Sequence, residues 1–267
     1  MNNPELNLAG DTLVIIPTYN EADNIRDIVG RVRASVPHAH VLIADDGSPD
    51  GTGDIADSLS AADQCVHVLH RPGKAGLGAA YLAAFGWGLE RGHGVLVEMD
   101  ADGSHQPEQL PRLLTALDDG ADLVLGSRWV PGGQVENWPK RREALSRGGN
   151  AYVRIALGLR QRDATGGFRA YRSDALERID LAGVESQGYC FQVDLVRRVA
   201  AAGLQITEVP ITFVERTKGE SKMTGHIIFE ALARVTLWAV QRQASKVTNL
   251  TRRLTRFAPQ PSGDVSR

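Results

Sequence analysis

Apolar residues gather in five short runs along the first half of the chain. Thr12–Ile16, Val41–Ala44, Cys65–Leu69, Val95–Val97 and Ala121–Gly126 are too short for core helices and mostly rich in β-branched residues, which predicts buried strands. Between them the spacing changes. Ile25, Ile28, Val29 and Val32 return at helical intervals with Asn20 as the expected N-cap, and further helices are expected from near Asp54 and Pro107. The segment His70–Ala80 fits neither G-x-x-x-x-G-K-[ST] nor G-x-G-x-x-G. Its small residues, Gly76, Gly78, Ala79 and Ala80, with Ala83 and Ala84 beyond, predict a helix lying close on a sheet; a phosphate role for Lys74 is the lesser reading. Strand–helix alternation predicts a doubly wound, mostly parallel α/β sheet with helices on both faces.

From about residue 131 the pattern changes. Pro131–Pro139 reads as a loop, and the cations Lys140, Arg141 and Arg142 lead into a helix over about Ser146–Leu159. Asp163–Tyr171 combines a glycine pair with a short strand signal. Gly188–Ala202 reads as a helix closed by Gly203, and Ile206–Val214 as a strand in which Pro210 implies an edge or a bulge. Arg216–Lys222 is a basic, glycine-containing loop, either surface decoration or a lid whose cations meet a pyrophosphate. His226–Val240 is apolar around most of its circumference; beyond it Val247, Leu250, Leu254 and Phe257 keep helical spacing among Lys246, Arg252, Arg253 and Arg256. That pattern suits a helix in an anionic membrane surface, and equally a packing helix with a basic tail or an oligomer contact. Residues 258–267 have the composition of a disordered tail. The expected division is a catalytic domain over 1–225, a basic helical segment over 226–257, and that tail.

The chemistry lies where strands end. Gly94–Asp102 climbs through apolar residues to two acids, Asp100 and Asp102, separated by Ala101. Ligands bind beyond the carboxyl ends of open α/β sheets, and two hard oxygen donors there suit Mg²⁺ or Mn²⁺ bridging to a substrate phosphate. A polar turn before a helix is the competing reading. Tyr19 and Glu21 follow the first strand, the one placed to lie against a base and the other to accept from base or ribose. Asp45 and Asp46 follow the second. Arg128, after the fifth, is a candidate phosphate ligand, with an ion pair to Asp100 or Asp102 as the compatible structural reading.

Composition narrows the class. The chain has 267 residues, 42% hydrophobic and 23% charged, so it suits a globular domain with an ample core. A net charge of −2 gives no electrostatic case for nucleic acid. The two cysteines, Cys65 and Cys190, lack metal-site spacing. Neither a signal peptide nor a spanning helix is expected from the sequence.

Together, Pro17–Glu21 (PTYNE), Ile43–Thr52 (IADDGSPDGT), Met99–Pro107 (MDADGSHQP) and Gly126–Arg128 (GSR) resemble family 2 glycosyltransferases of the GT-A fold. Arg216–Lys222 (RTKGESK) narrows the resemblance to polyprenol-phosphate (dolichol-phosphate) mannosyltransferases, over roughly residues 12–240. The resemblance implies transfer of mannose from GDP-mannose to a polyprenyl phosphate with inversion. The rivals are a UDP-sugar transferase acting on a lipid phosphate and a non-catalytic nucleotide-sugar-binding membrane scaffold. It also implies donor contacts at Pro17, Tyr19, Glu21, Ala44, Asp46, Asp100, Ala101 and Asp102, with Arg128, Arg216 and Lys222 on phosphates. Asp100, Asp102, Arg128 and Lys222 carry catalysis, and Arg128 with Arg142 meets the acceptor phosphate. The metal, Mg²⁺ or Mn²⁺, falls to Asp102 and Asp100. Ser104 stands where some relatives place a metal-ligating Gln, and Gln106 lies further on. The partners implied are GDP-mannose, polyprenyl phosphate, a membrane surface and an integral membrane protein, and the resemblance implies a peripheral enzyme on the cytoplasmic face of a membrane.

Overall fold

A computed structural model describes residues 11–184, 189–216 and 232–242. In chain order the elements are β1 (Thr12–Thr18), α1 (Ile25–Ser35), β2 (His40–Asp45), α2 (Thr52–Ala62), β3 (Val66–His70), α3 (Leu77–Glu90), β4 (Val95–Glu98), α4 (Leu110–Asp118), β5 (Leu123–Ser127), β6 (Gln134–Glu136), α5 (Lys140–Leu157), β7 (Arg169–Arg172), α6 (Ser173–Glu177), α7 (Tyr189–Ala201), β8 (Ile206–Pro210) and β9 (Thr212–Val214). A further helix covers 232–242.

The main sheet runs β3-β2-β1-β4-β7-β5-β8. Its neighbours are parallel except where β7 lies antiparallel to both β4 and β5. Strand residues are buried on both faces, as a sheet covered by helices requires. Val14, Ile16, Val41, Ile43, Val95 and Val97 join Ile28 and Val32 of α1 and Leu113 and Leu117 of α4 in one core. Leu13, Ile15, Leu42 and Leu96 join Tyr81, Ala84 and Phe85 of α3 and Leu195 and Val199 of α7 in the other. Each such aliphatic side chain contributes about 1.5–3 kcal/mol by leaving water. The small-residue reading of α3 fits this packing. A Cβ on Gly88 would stand 2.8 Å from the Leu13 and Leu96 methyls, so a side chain there would have to push these buried leucines aside.

Several local expectations are corrected. Asn20 does not cap α1, which begins at Ile25; Asn20 has φ 61°. The amides of Asn20, Glu21 and Ala22 bond instead to Ser48 Oγ, Thr52 Oγ1 and Asp50 Oδ2, tying the loop after β1 to the one after β2. Helix α5 starts at Lys140, so the three cations occupy its first turn rather than a preceding loop. The single strand expected over Ile206–Val214 is two. β8 ends at Pro210 on the sheet edge, as the proline suggested, and β9 pairs with β6 in a small second sheet.

At the far end of the sheet from the motif loops, His40, His67 and His93 meet. His40 Nδ1 and His67 Nε2 are 2.9 Å apart, and the His93 ring centroid lies 5.2 Å from that of His40. Burial, then the neighbouring His40, holds both His67 and His93 below the ordinary histidine range; Arg91 adds to this at His67, while Asp63 and Asp11 oppose it. Depressed folded values mean that the unfolded chain binds more protons. The stability that depends on these neutral rings is complete above about pH 6.5 and is lost as pH falls below it. His93→Gln should therefore flatten the decline in Tm between about pH 7 and pH 5.5; identical Tm profiles for variant and wild type would refute the coupling.

Candidate active site

β1, β2 and β4 are parallel neighbours, so their carboxyl ends share one edge of the sheet. After β2 the two acids separate. Asp45 turns inward, accepting from Thr18 Oγ1 at 3.0 Å and from the Ser48 hydroxyl at 2.5 Å. Asp46 pairs with Arg71. Tyr19 lies beside this pair's loop, with Lys74 Nζ 4.4 Å from its ring centroid, and Glu21 accepts from Asn24 Nδ2. Pro17 pairs in register with Ala44 on the floor between them.

After β4 the chain passes buried Met99 to Asp100, whose side chain is 35% exposed, and to Asp102, whose side chain is 9% exposed. The Asp102 carboxylate accepts from the Ser104 amide at 3.0 Å and lies 3.3 Å from Arg216 Nη1. Burial pushes Asp102 up, but the Ser104 hydroxyl, Arg216 and the Ser104 amide outweigh it, so the acid stays below its ordinary value. His105, fully buried, stacks on Phe168 and accepts from the Asp100 amide through Nδ1 at 3.0 Å. Burial lowers it to about 4, so the ring is neutral and its 3.7 Å approach to the Asp100 carboxylate is not an ion pair. Glu98, also fully buried, is raised to about 7 by burial against the pull of Arg169.

Arg128 pairs with Asp163 rather than with Asp100 or Asp102. The reason is topological: β7 lies between the acids' strand and that of Arg128. Arg128 Nε and Nη2 each donate to Asp163 at 2.7 Å, and its backbone amide adds a third bond. Nη2 also reaches Thr165 Oγ1, which accepts from Asn150 of α5. Arg169 donates to the carbonyls of Ala164, Gly166 and Gln192, fixing the turn that carries Asp163 and Thr165. Arg142 pairs with Glu215 and stacks on Trp138, 4.1 Å from the ring centroid.

These groups share a cavity of about 320 Å³. Asp100, His105, Arg128, Arg142 and Arg216 line its polar part; Leu145, Val153, Val193, Leu232 and Val235 line the rest. The site thus gathers Asp100, Arg128, Arg142 and Arg216, with Asp102 held through Arg216. Pro17, Tyr19, Glu21, Ala44, Ala101 and Asp46 lie at the neighbouring strand ends. Lys222 falls outside the described residues, as do the rest of the basic loop, the boundary at 225, and all of 226–267 except 232–242.

For a divalent metal the donor chemistry fits: two carboxylates at a strand end, with the buried Ser104 beside them. Among the described residues no cluster of three or more acidic, histidine or cysteine side chains is built to hold an ion. Water would complete the shell, as is usual for Mg²⁺. His105, Asp163 and Thr165 were not singled out from the sequence. The H and D stood inside quoted motifs, but only the fold shows what they support.

The family model described as "Glycosyl transferase family 2" matches residues 13–180. The chain belongs to that family. It is 57% identical over 242 residues to polyprenol monophosphomannose synthase of Mycolicibacterium smegmatis, covering 90% of this chain and 91% of that one. It is 60% identical over 228 residues to undecaprenyl-phosphate mannosyltransferase of Micrococcus luteus, covering 85% and 93%. Among solved structures, glucosyl-3-phosphoglycerate synthase from Mycobacterium tuberculosis with Mn²⁺, UDP-glucose and phosphoglyceric acid superposes with a TM-score of 0.62 at 18% identity, covering 90% of this chain and 85% of that one. A mannosyltransferase from Pyrobaculum calidifontis in complex with GDP-Man and Mn²⁺ gives 0.55 at 16%, covering 88% and 64%. The mostly parallel sheet with helices on both faces is thus of the GT-A type.

Asp163→Asn leaves Arg128 buried without its carboxylate. Breaking such a pair from one side costs about 3–5 kcal/mol, so denaturant unfolding should show a loss of that order, against about 1 kcal/mol for Thr165→Val.

Proposed function

We propose that this glycosyltransferase transfers mannose from GDP-mannose to a polyprenyl monophosphate with inversion, yielding polyprenyl-phosphate β-mannose and GDP. The observation that carries the reading is the two-natured cavity. Its arginines suit a phosphate head, and its aliphatic walls suit an isoprenoid tail. The named relatives, at 57% and 60% identity, act on substrates of that chemistry by name.

Bond changes are few. An acceptor phosphate oxygen attacks the anomeric carbon, the bond from that carbon to the diphosphate oxygen breaks, and GDP leaves with the electron pair. A phosphate is already ionised near neutral pH, so no general base is required. Asp100 and Asp102 would hold Mg²⁺ or Mn²⁺, which when bound offsets charge growing on the diphosphate. The remaining work belongs to the chain. Tyr19 and Asp46 position the nucleoside, with Pro17, Glu21, Ala44 and Ala101 shaping that side. Arg216 and Lys222 stabilise the diphosphate, and Arg128 with Arg142 aims the acceptor oxygen.

The bilayer supplies the acceptor. The helix over 232–242 buries Val235 and exposes Leu232, Leu237 and Val240; Ile155 of α5 is 77% exposed. Among the described residues no helix is long and apolar enough to cross a membrane. We take these exposed side chains as the surface that meets the cytoplasmic leaflet or an integral membrane partner.

Labelled mannose should pass from GDP-mannose to polyprenyl phosphate in detergent and should stop in excess EDTA. No transfer to any prenyl phosphate would overturn the reading. GDP-mannose should raise Tm where UDP-sugars do not. Asp102→Asn should lower kcat by roughly 10²-fold or more. Replacing Leu237 and Val240 with Asp should slow transfer to long-chain acceptor in vesicles while sparing a short, water-soluble acceptor; equal losses on both would exclude a docking role.

A further inference from the structure

Four alternating charges connect the two halves of the cavity's polar end. Asp102 pairs with Arg216, and Glu215 pairs with Arg142. Arg216 and Glu215 are consecutive residues. Their backbone is tied to the acids' own loop by the Val214 amide, which donates to the Ser104 carbonyl at 3.1 Å, and to β6 by the Glu215 amide, which donates to the Glu136 carbonyl at 3.0 Å. Because the two residues share one peptide, a backbone movement that carries Arg216 off Asp102 also displaces Glu215.

The pairs differ in kind from that of Arg128. Its partner Asp163 is wholly buried and holds it by three bonds, so that cation is fixed. Arg142 and Glu215 are each about one-fifth to one-quarter exposed, as is Arg216. Each of these pairs has at least one member reached by water, although the Asp102 carboxylate itself is 9% exposed, so an incoming ion of the right sign can compete for it. Asp102 cannot serve a divalent cation fully while it holds a guanidinium, and Arg142 cannot present its full charge to a phosphate while it holds Glu215.

We propose that Glu215 is a positioning residue that withholds Arg142 from the acceptor phosphate until Arg216 has left Asp102. This rests on the assignment of the arginine-lined end to the acceptor phosphate. Cation binding at the two acids and phosphate binding at Arg142 are then coupled through one peptide, and the coupling is reciprocal. It favours loading of the donor side before the acceptor.

Trp138, stacked on Arg142, provides a direct probe. Binding of a short-chain prenyl phosphate would be followed by tryptophan fluorescence, with and without Mn²⁺ alone, and Mn²⁺ affinity by calorimetry. In the wild type, Mn²⁺ should tighten prenyl phosphate binding by about tenfold, a typical coupling. Glu215→Gln should bind the phosphate without Mn²⁺ about as tightly as the wild type does with it, and should show little further gain. Arg216→Gln should bind Mn²⁺ several-fold more tightly, because no guanidinium competes for Asp102. Should Glu215→Gln retain the full Mn²⁺ effect, that effect is direct attraction between ion and phosphate, and the proposal fails. A wild type insensitive to Mn²⁺ overturns it equally. A wild type that binds no prenyl phosphate under any condition overturns the acceptor assignment itself.

Discussion

Parallel pairing fixes Pro17 opposite Ala44, Thr18 opposite Asp45, and Ile15 opposite Glu98. The loops after β1, β2 and β4 must therefore leave the sheet side by side. Everything at the site inherits this registry. The residues that follow β1 and β2 stand next to the acids because their strands are hydrogen-bonded neighbours, β1 pairing with both β2 and β4. The amides of Asn20, Glu21 and Ala22 then tie the first loop to the second.

On that edge, charge is handled in two ways. Arg128 and Asp163 are almost wholly removed from water, and each satisfies the other. Breaking such a pair costs several kcal/mol, whereas the Arg142–Glu215 and Arg216–Asp102 pairs each keep at least one partner a fifth to a quarter exposed. The contrast separates scaffold from exchangeable parts: the Asp163 arm is built in, and the Glu215 and Arg216 arms can trade partners.

Much of this was legible in the sequence. Short continuous apolar runs locate β1 to β5, helical spacing locates α1, and the closing Gly203 marks the end of α7, because strands covered on both faces are apolar throughout and a helix buries one face. The acids at Asp100 and Asp102 were readable because a strand must end before polar residues can gather. The misplaced starts had a common cause. Local capping and charge patterns point to Asn20 and to a start near Ser146, while the groups that fix these stretches, Ser48 for the Asn20 amide and Glu215 for Arg142, lie far along the chain. Arg128's partner was missed for the same reason: the glycine pair at Gly166 and Gly167 suggested a turn, but nothing local gave the direction in which β7 enters the sheet.

That entry has a consequence for how the chain folds. β4 and β5 are separated in sequence by one helix, yet neither has its inner neighbour until Arg169–Arg172 arrives to lie between them. Any fragment ending before that point leaves two strand edges bare in the middle of the sheet, where backbone groups are open to the wrong partner. The strand carrying the acids is thus completed from a distant stretch of chain, and closing so long a loop slows folding relative to local pairing. The first half of the chain carries the loops after β1, β2 and β4, but it cannot close their sheet alone. The two sides of the sheet are one folding unit, joined by a strand that runs against the others.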